Sequence, residues 1–349
     1  MCGVGVPRDG LNLSLVGHVG SVTHGLAKPQ AVNPSIDDTP SSSTINLLFH
    51  RFARPTMDDA IRKAETLIEA LSYIRQFQGK LTVIKLGGSA MDDADALRAT
   101  LQDVVFMATV GLRPVLVHGG GKPIDRAVAA AGLATRKVLG RRYTDDATLA
   151  IVVRVLLQEI NLDIEKQIRE LGGRAVGPHL GSIQYLFGEK LTLPGPDGKP
   201  VDLGRVGKVT RIDGELMRDF CTSGVIPVIP CLAVDADGQW LNVNADTAAA
   251  AVAVQLGAEK LVLLTDTPGI LRDRQDAGSL LPSLSAAQVR SLIDEKVIDE
   301  GMIPKVEACL ESLQGGVKKT HIVDGRLKHS LLLEIYTDRG VGTEIVLKS

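Results

Sequence analysis

Lys85 sits inside the apolar run Leu81-Thr-Val-Ile-Lys-Leu86, directly ahead of Gly87-Gly88. An ammonium in such a run is costly to bury unless an anion meets it. A second lysine, Lys305, follows Gly301-Met-Ile-Pro304 at an expected helix start. The helix dipole disfavours a cation there, a penalty that an anionic ligand would reverse. Asp246 closes Asn242-Val-Asn-Ala-Asp246, just ahead of the apolar stretch 248–258. An aspartate there would ordinarily cap the helix, yet two asparagines beside it give the segment the character of a polar binding edge. Arg142, in Gly140-Arg-Arg-Tyr-Thr-Asp-Asp146, carries a planar fork suited to a carboxylate, whereas Arg141 is expected at the surface. Glycines recur in three loops after apolar runs: Gly87-Gly88, Gly119-Gly120-Gly121 behind His118, and Gly269 in Thr265-Asp-Thr-Pro-Gly269. Glycine lets backbone amides approach an anion closely, and helix N-termini add a favourable dipole. Phosphate is the natural ligand for such a set. The chain has no GxxxxGK[ST], and its first loop is not GxGxxG, so neither the P-loop nor the dinucleotide fingerprint applies. A His-Gly-Gly-Gly loop also builds oxyanion holes in esterases, but those need a GxSxG elbow that is absent here.

The elements that must position these residues are legible as short apolar runs alternating with helical patterns. The runs are 81–86, 114–118, 174–177, 225–230, 260–265 and 320–323. Such alternation predicts an α/β protein, a mainly parallel open sheet covered by helices on both faces, with ligands beyond the carboxyl ends of the strands. Between 181 and 211, short polar segments with Gly and Pro predict antiparallel hairpins at the rim. The stretch 248–258 predicts a buried helix. Ahead of the first strand, Thr56 and Asp59 have capping-box spacing. Met57, Ile61, Ala64, Leu67, Ile68, Leu71 and Ile74 then recur at helical intervals.

Residues 1–55 are rich in Gly, Ser, Asn and Pro without a persistent period, and are expected to be a poorly ordered extension. A plastid transit peptide is the alternative, since the segment is Ser-rich with few acids, although its arginines are only Arg8, Arg51 and Arg54. The net charge of -2 on 349 residues offers no field for polyanions, and no apolar run approaches the roughly 18 residues that span a bilayer. Nucleic acid and membrane are therefore not expected as partners. The four cysteines, Cys2, Cys221, Cys231 and Cys309, show neither CxxC spacing nor pairing with histidine, which fits a reducing cytoplasm and no zinc or disulfide framework.

Taken together, VIKLGGSAM, VLVHGGGKPI, GRRYTDDATL, WLNVNADTAAA, VLLTDTPGIL and DEGMIPKV, in this order over about residues 80–349, resemble the amino-acid kinase family and, within it, the acetylglutamate kinases. The resemblance implies a three-layer αβα sandwich, with an acetylglutamate lobe over about 80–235 and an ATP lobe over about 236–349. It implies transfer of the γ-phosphoryl group of ATP, entering with Mg²⁺, to the side-chain carboxylate of N-acetyl-L-glutamate, with no dedicated metal ligands from the protein. Lys85 and Lys305 would stabilise the transferring group and Asp246 would hold both ammonium groups. Gly87 and Gly88 would line the phosphates. Gly120, Gly121, Arg142 and Asn242 would bind the substrate. Asp266, Thr267, Gly269, Ile270, Leu271, Val297, Gly301 and Met302 would build the adenine side.

The helix at 56–78 resembles the oligomerisation helix of arginine-inhibited, hexameric members. HSLLLEIYTDRGVGT (329–343) resembles their arginine-binding segment, with His329, Glu334, Gly340 and Gly342 in the pocket. A PII-type signalling protein is a further partner that the resemblance implies. The chain departs from the family pattern at Lys122, at Glu300 and in AVGPHLGS (175–182). GRRYT with NVNAD favours acetylglutamate over aspartate, carbamate or UMP as acceptor, while an acylated aminoadipate differs by one methylene. An inhibitor sensor without catalysis is the reading from another class, and the joint presence of Lys85, Asp246 and Lys305 argues against it.

Overall fold

The computed structural model describes residues 56–179, 183–195, 197–298, 301–337 and 340–348, with nothing said of the side chains of 89 and 90. The expected extension over 1–55, Glu300 and the end of AVGPHLGS lie outside these residues. Asp58–Ser349 forms one compact unit.

The strands are β1 (Leu81–Leu86), β2 (Arg113–His118), β3 (Lys137–Val138), β4 (Arg141–Arg142), β5 (Ala175–Val176), β6 (Leu186–Lys190), β7 (Leu193–Pro194), β8 (Pro200–Val201), β9 (Val206–Ile212), β10 (Ile226–Pro230), β11 (Leu232–Val234), β12 (Trp240–Val243), β13 (Lys260–Thr265), β14 (Ser283–Ser285), β15 (Lys319–Asp324) and β16 (Thr343–Val346). The main helices are α1 (Met57–Phe77), α2 (Gly88–Asp92), α3 (Ala94–Thr109), α4 (Gly121–Ala130), α5 (Asp146–Arg154), α6 (Leu162–Glu170), α7 (Gly214–Thr222), α8 (Ala245–Leu256), α9 (Ala286–Asp294), α10 (Ile303–Gln314) and α11 (Ser330–Ile335). A π-helical segment, Val155–Asn161, joins α5 to α6.

Eight strands form one sheet in the order β14-β16-β15-β13-β1-β2-β10-β5. All six runs expected from the sequence lie in it and are parallel, and β16 adds antiparallel to β15, with β14 beyond it at that edge. The central strands are buried because both faces carry helices, which is why they are apolar throughout rather than alternating. One core cluster gathers β1, β2 and β13 side chains with α8 and α10, and the other gathers them with α3 and α11. Residues 186–243 also contribute a closed barrel, β11-β12-β9-β6, that the sequence reading did not anticipate beyond its rim hairpins. The expected hairpins are present in β6 with β9 and in β7 with β8.

The expected first helix is α1, but its apolar stripe faces outward. Met57, Leu67 and Ile68 are 75%, 69% and 70% exposed, and Phe77 is the buried residue of the helix.

Candidate active site

Register brings the first two glycine loops together, since Leu86 pairs with His118, which also pairs with Pro230. Lys85 lies between Val117 and Leu263 on the two flanking strands and is buried. Its anion is Asp246, with Nζ 2.9 Å from Oδ1. Lys305 approaches the other oxygen, Nζ to Oδ2 at 3.5 Å, from the first turn of α10. Asp246 is free to do this because Asn244 caps α8, its side chain accepting from the amides of Asp246 and Thr247 at 3.0 and 3.1 Å. Burial would raise the Asp246 carboxyl, but Lys85 and then Lys305 outweigh it and hold the group below its ordinary range.

Two cavities meet at this cluster. One, of about 260 Å³, is lined by Lys85, Gly88, Gly119–Gly121, Arg142, Asn242 and Asp246. The other, of about 610 Å³, is lined by Asp266–Leu271, Val297, Gly301, Met302 and Lys305. Lys305 therefore faces one cavity while its carboxylate partner faces the other. Every residue that the family resemblance assigns to the adenine side lines the larger of these two cavities, with Arg274 added.

The glycines divide by what surrounds them. A Cβ on Gly87 would lie 2.4 Å from the Leu264 carbonyl oxygen, so this position is required by the β1–β13 approach. Gly88 and Gly121 face open space, which leaves their backbone accessible to a ligand. Gly269, at φ +142°, lies where L side chains are strained, and a Cβ there would meet Thr343 Oγ1 at 2.5 Å.

Arg142 is held by Asp125 at 2.6 Å and donates to the Gly121 carbonyl at 3.3 Å, so the fork is tied to the second glycine loop. Asn242 donates to Thr144 Oγ1 at 3.0 Å. Arg141, expected at the surface, also lines the smaller cavity, as do Gly140, Asn244 and Cys231. Their contribution depends on the β3–β4 hairpin and on the strand crossing from β10 into β11, which local patterning does not reveal. Lys122 pairs with Asp92 at 2.8 Å, bridging the helices that follow the two glycine loops.

A third cavity, of about 630 Å³, is lined by Tyr73, Gln76 and Phe77 of α1 together with Lys260, Lys319, His321, Glu334, Gly340 and Glu344. Glu334 accepts from the amides of Val341 and Gly342, each at 2.8 Å, and lies 2.7 Å from His321 Nδ1. Burial would raise Glu334, but the bond to His321 leads the interactions that hold it below its ordinary value. A Cβ on Gly340 would lie 2.7 Å from Glu334 Oε2, so glycine is needed for the closure. His329 is placed elsewhere. It adopts a left-handed backbone at the start of α11 and turns its ring to Asp103 of α3, at 2.6 Å. The imidazole on Glu334 is His321, from β15, thirteen positions from its carboxylate.

Burial pushes the His118 and His321 imidazoles below their usual 6.5. Below about pH 6.5 the unfolded chain takes up a proton on each that the folded protein resists. Stability is therefore expected to fall as pH drops through 6.5, by up to about 1.4 kcal/mol per pH unit per histidine. Asp103 and Glu165, raised by burial, act in the opposite sense once they begin to protonate. Guanidinium unfolding midpoints at pH 8, 6.5 and 5.5 check this, and equal midpoints would contradict neutral buried imidazoles.

Residues 80–324 match the amino acid kinase family model, and the chain belongs to that family. It is 47% identical over 291 residues to the acetylglutamate kinase of Heliobacterium modesticaldum, covering 82% of this chain and 99% of that one. It is likewise 47% identical over 288 residues to the acetylglutamate kinase of Pelotomaculum thermopropionicum, covering 81% and 97%. Among solved structures, the N-acetylglutamate synthase of Neisseria gonorrhoeae complexed with coenzyme A and N-acetyl-glutamate aligns with TM-score 0.72 at 28% identity. That alignment covers 82% of this chain and 64% of the synthase chain. The carbamate kinase of Giardia lamblia bound to AMP-PNP aligns with TM-score 0.55 at 17% identity, covering 77% and 98%, a likeness of fold.

Proposed function

We propose that this protein transfers the γ-phosphoryl group of ATP to the side-chain carboxylate of N-acetyl-L-glutamate, giving N-acetyl-L-glutamyl 5-phosphate and ADP in the second step of arginine biosynthesis. The observation that carries the reading is one buried carboxylate, Asp246, braced between two lysines at the junction of two cavities. Relatives named acetylglutamate kinase, matched over nearly their whole length, support the choice of acceptor.

The larger cavity takes the nucleotide and the smaller takes the acceptor. The acceptor carboxylate is ionised at neutral pH, so attack on the γ-phosphorus needs no general base. The new bond joins a carboxylate oxygen to phosphorus, and the bond to the β-bridging oxygen breaks, leaving its charge on ADP. Lys85 and Lys305 screen the approach of two anions and neutralise charge that spreads over the transferring group. Backbone at Gly88 receives phosphate oxygens, Gly120 and Gly121 form the acceptor loop, and Arg142 and Asn242 hold the acceptor's α-carboxylate and acetamide. Magnesium enters with ATP: both Asp246 oxygens are taken by ammonium groups, and no acidic cluster suited to a metal is found among the described residues.

The third cavity takes inhibitory arginine, its guanidinium on Glu334, and α1 with its exposed apolar stripe packs against a second copy to build a hexamer of interlaced dimers. The enzyme is cytoplasmic, and no helix among the described residues is long and apolar enough to cross a membrane. A PII-type signalling protein is a further partner in this reading.

The test is a panel of N-acetylglutamate, glutamate, N-acetylaspartate and an acylated aminoadipate, with the acyl phosphate trapped as hydroxamate, each with and without arginine. N-acetylglutamate should be the preferred acceptor; preference for another acceptor, or no turnover with any, rejects the reading. Arginine inhibition should be sigmoidal and disappear when residues 1–78 are deleted. Glu334→Gln should raise the half-inhibiting arginine concentration about 10- to 100-fold, the range of one charge-assisted hydrogen bond. A hyperbolic response in the intact chain would reject the link between α1 and the inhibitor cavity.

A further inference from the structure

A chain of buried polar side chains runs behind the second glycine loop, outside the cluster that meets the phosphoryl group. His118, at the end of β2, is fully buried and places Nε2 3.0 Å from Asn161 Oδ1, while Nδ1 lies 3.2 Å from the Gly119 carbonyl. Asn161 is also fully buried and donates through Nδ2 to Glu165 Oε1 at 2.7 Å. Arg169 donates to the other Glu165 oxygen at 3.3 Å, and His179 Nε2 lies 3.9 Å from Oε1. The carboxylate accepts the Asn161 amide hydrogens, which turns the amide oxygen toward His118 and requires Nε2 to be the protonated ring nitrogen.

The same element supports the loop a second time. Asn161 ends the π-helical segment Val155–Asn161, and Leu156 and Ile160 of that segment press beneath Gly120, where a Cβ would lie 2.8 and 3.1 Å from their methyl groups. A π-turn inserts one extra residue and is frequent at functional sites. Here it sets two apolar contacts beneath Gly120 and one amide against His118. Apolar side chains could fill the same volume without the desolvation cost of four polar groups. What the polar chain adds is direction: Nε2–H of His118 donates to Asn161 and fixes the ring of the residue joined directly to Gly119, while Nδ1 of the neutral ring keeps its lone pair.

We propose that Asn161 is a positioning residue for the acceptor: through His118 it holds Gly119–Gly121 in the geometry that receives the reacting carboxylate. This rests on the assignment of that loop to the acceptor.

The experiment compares wild type with Asn161→Asp, Glu165→Gln and the double variant. The single Asn161 change keeps an acceptor for His118 but sets two carboxylates face to face, and Glu165→Gln restores a donor between them. For Asn161→Asp, the KM for N-acetylglutamate should rise at least tenfold or kcat fall about as much, with the KM for ATP within twofold. The double variant should recover most of the loss. Deuterium exchange of the peptide spanning the loop should quicken in Asn161→Asp and slow again in the double variant. A lowered melting temperature with kcat and both KM values within twofold would make the chain merely structural and overturn the proposal, as would a folded double variant that recovers nothing. A change in the KM for ATP alone would overturn the loop's assignment. If another acceptor were preferred, the functional reading would fail, and the exchange comparison would still decide the role of Asn161.

Discussion

Lys85→Met is expected to lower kcat about a thousandfold while the protein stays folded. The side chain keeps its length and loses its charge at the point where two anions must meet, and loss of one such stabilising group in a water-poor site costs about 10²–10³ in turnover. Lys305 remains 3.5 Å from Asp246, so the carboxylate is still paired and the site does not collapse. The KM for N-acetylglutamate should change much less than kcat, because Lys85 acts on charge that spreads as the transfer proceeds rather than on the bound acceptor. Steady-state kinetics with hydroxamate trapping, beside circular dichroism of the variant, measure this. Turnover within tenfold of wild type in a folded variant would reject the assigned role.

Asp246→Ala should damage both stability and turnover. It strands a buried ammonium at Lys85 and removes the brace from Lys305, and breaking a buried pair in this way costs about 3–5 kcal/mol. The sign with pH follows from the depressed carboxyl: the stabilisation is fully present above the ordinary carboxylate value of about 3.8 and is lost as pH falls through the lower folded value. The whole difference should therefore appear at pH 7. Because ATP supplies the anion that the substitution removes, saturating nucleotide should raise the unfolding midpoint of the variant more than that of wild type. Denaturant titrations with and without ATP decide it. Equal midpoints for variant and wild type, or equal ATP effects, would mean that Asp246 does not hold the two cations together.

Much of this site was legible along the chain. Lys85 betrayed itself as a charge in a strand, Lys305 as a cation at a helix start, and the loops through their glycines. The adenine-side residues were given by the family resemblance, and they line one cavity because both of their segments run along it. Asp246 was harder, since an aspartate before a helix is ordinarily its cap; only the bonds from the amides of Asp246 and Thr247 to Asn244 show which residue caps and which is left for the lysines. His321 carried no such signal: the resemblance pointed to His329, and nothing local marks His321 as the imidazole beside Glu334. His329 is closer to Glu334 in sequence, whereas β15 carries His321 alongside β16 and opposite the carboxylate.

The sequence by itself determined the parallel sheet, the glycine-rich loops at its strand ends and the charged residues of the centre, because hydrophobic period, glycine and a misplaced charge are local signals that each strand or loop displays alone. Tertiary structure decided the closed barrel, the outward face of α1, the histidine on Glu334 and the buried line from Glu165 to the second glycine loop. Those depend on which distant segments meet, and the energy of a buried polar group is set by a partner that its own neighbours in sequence do not reveal.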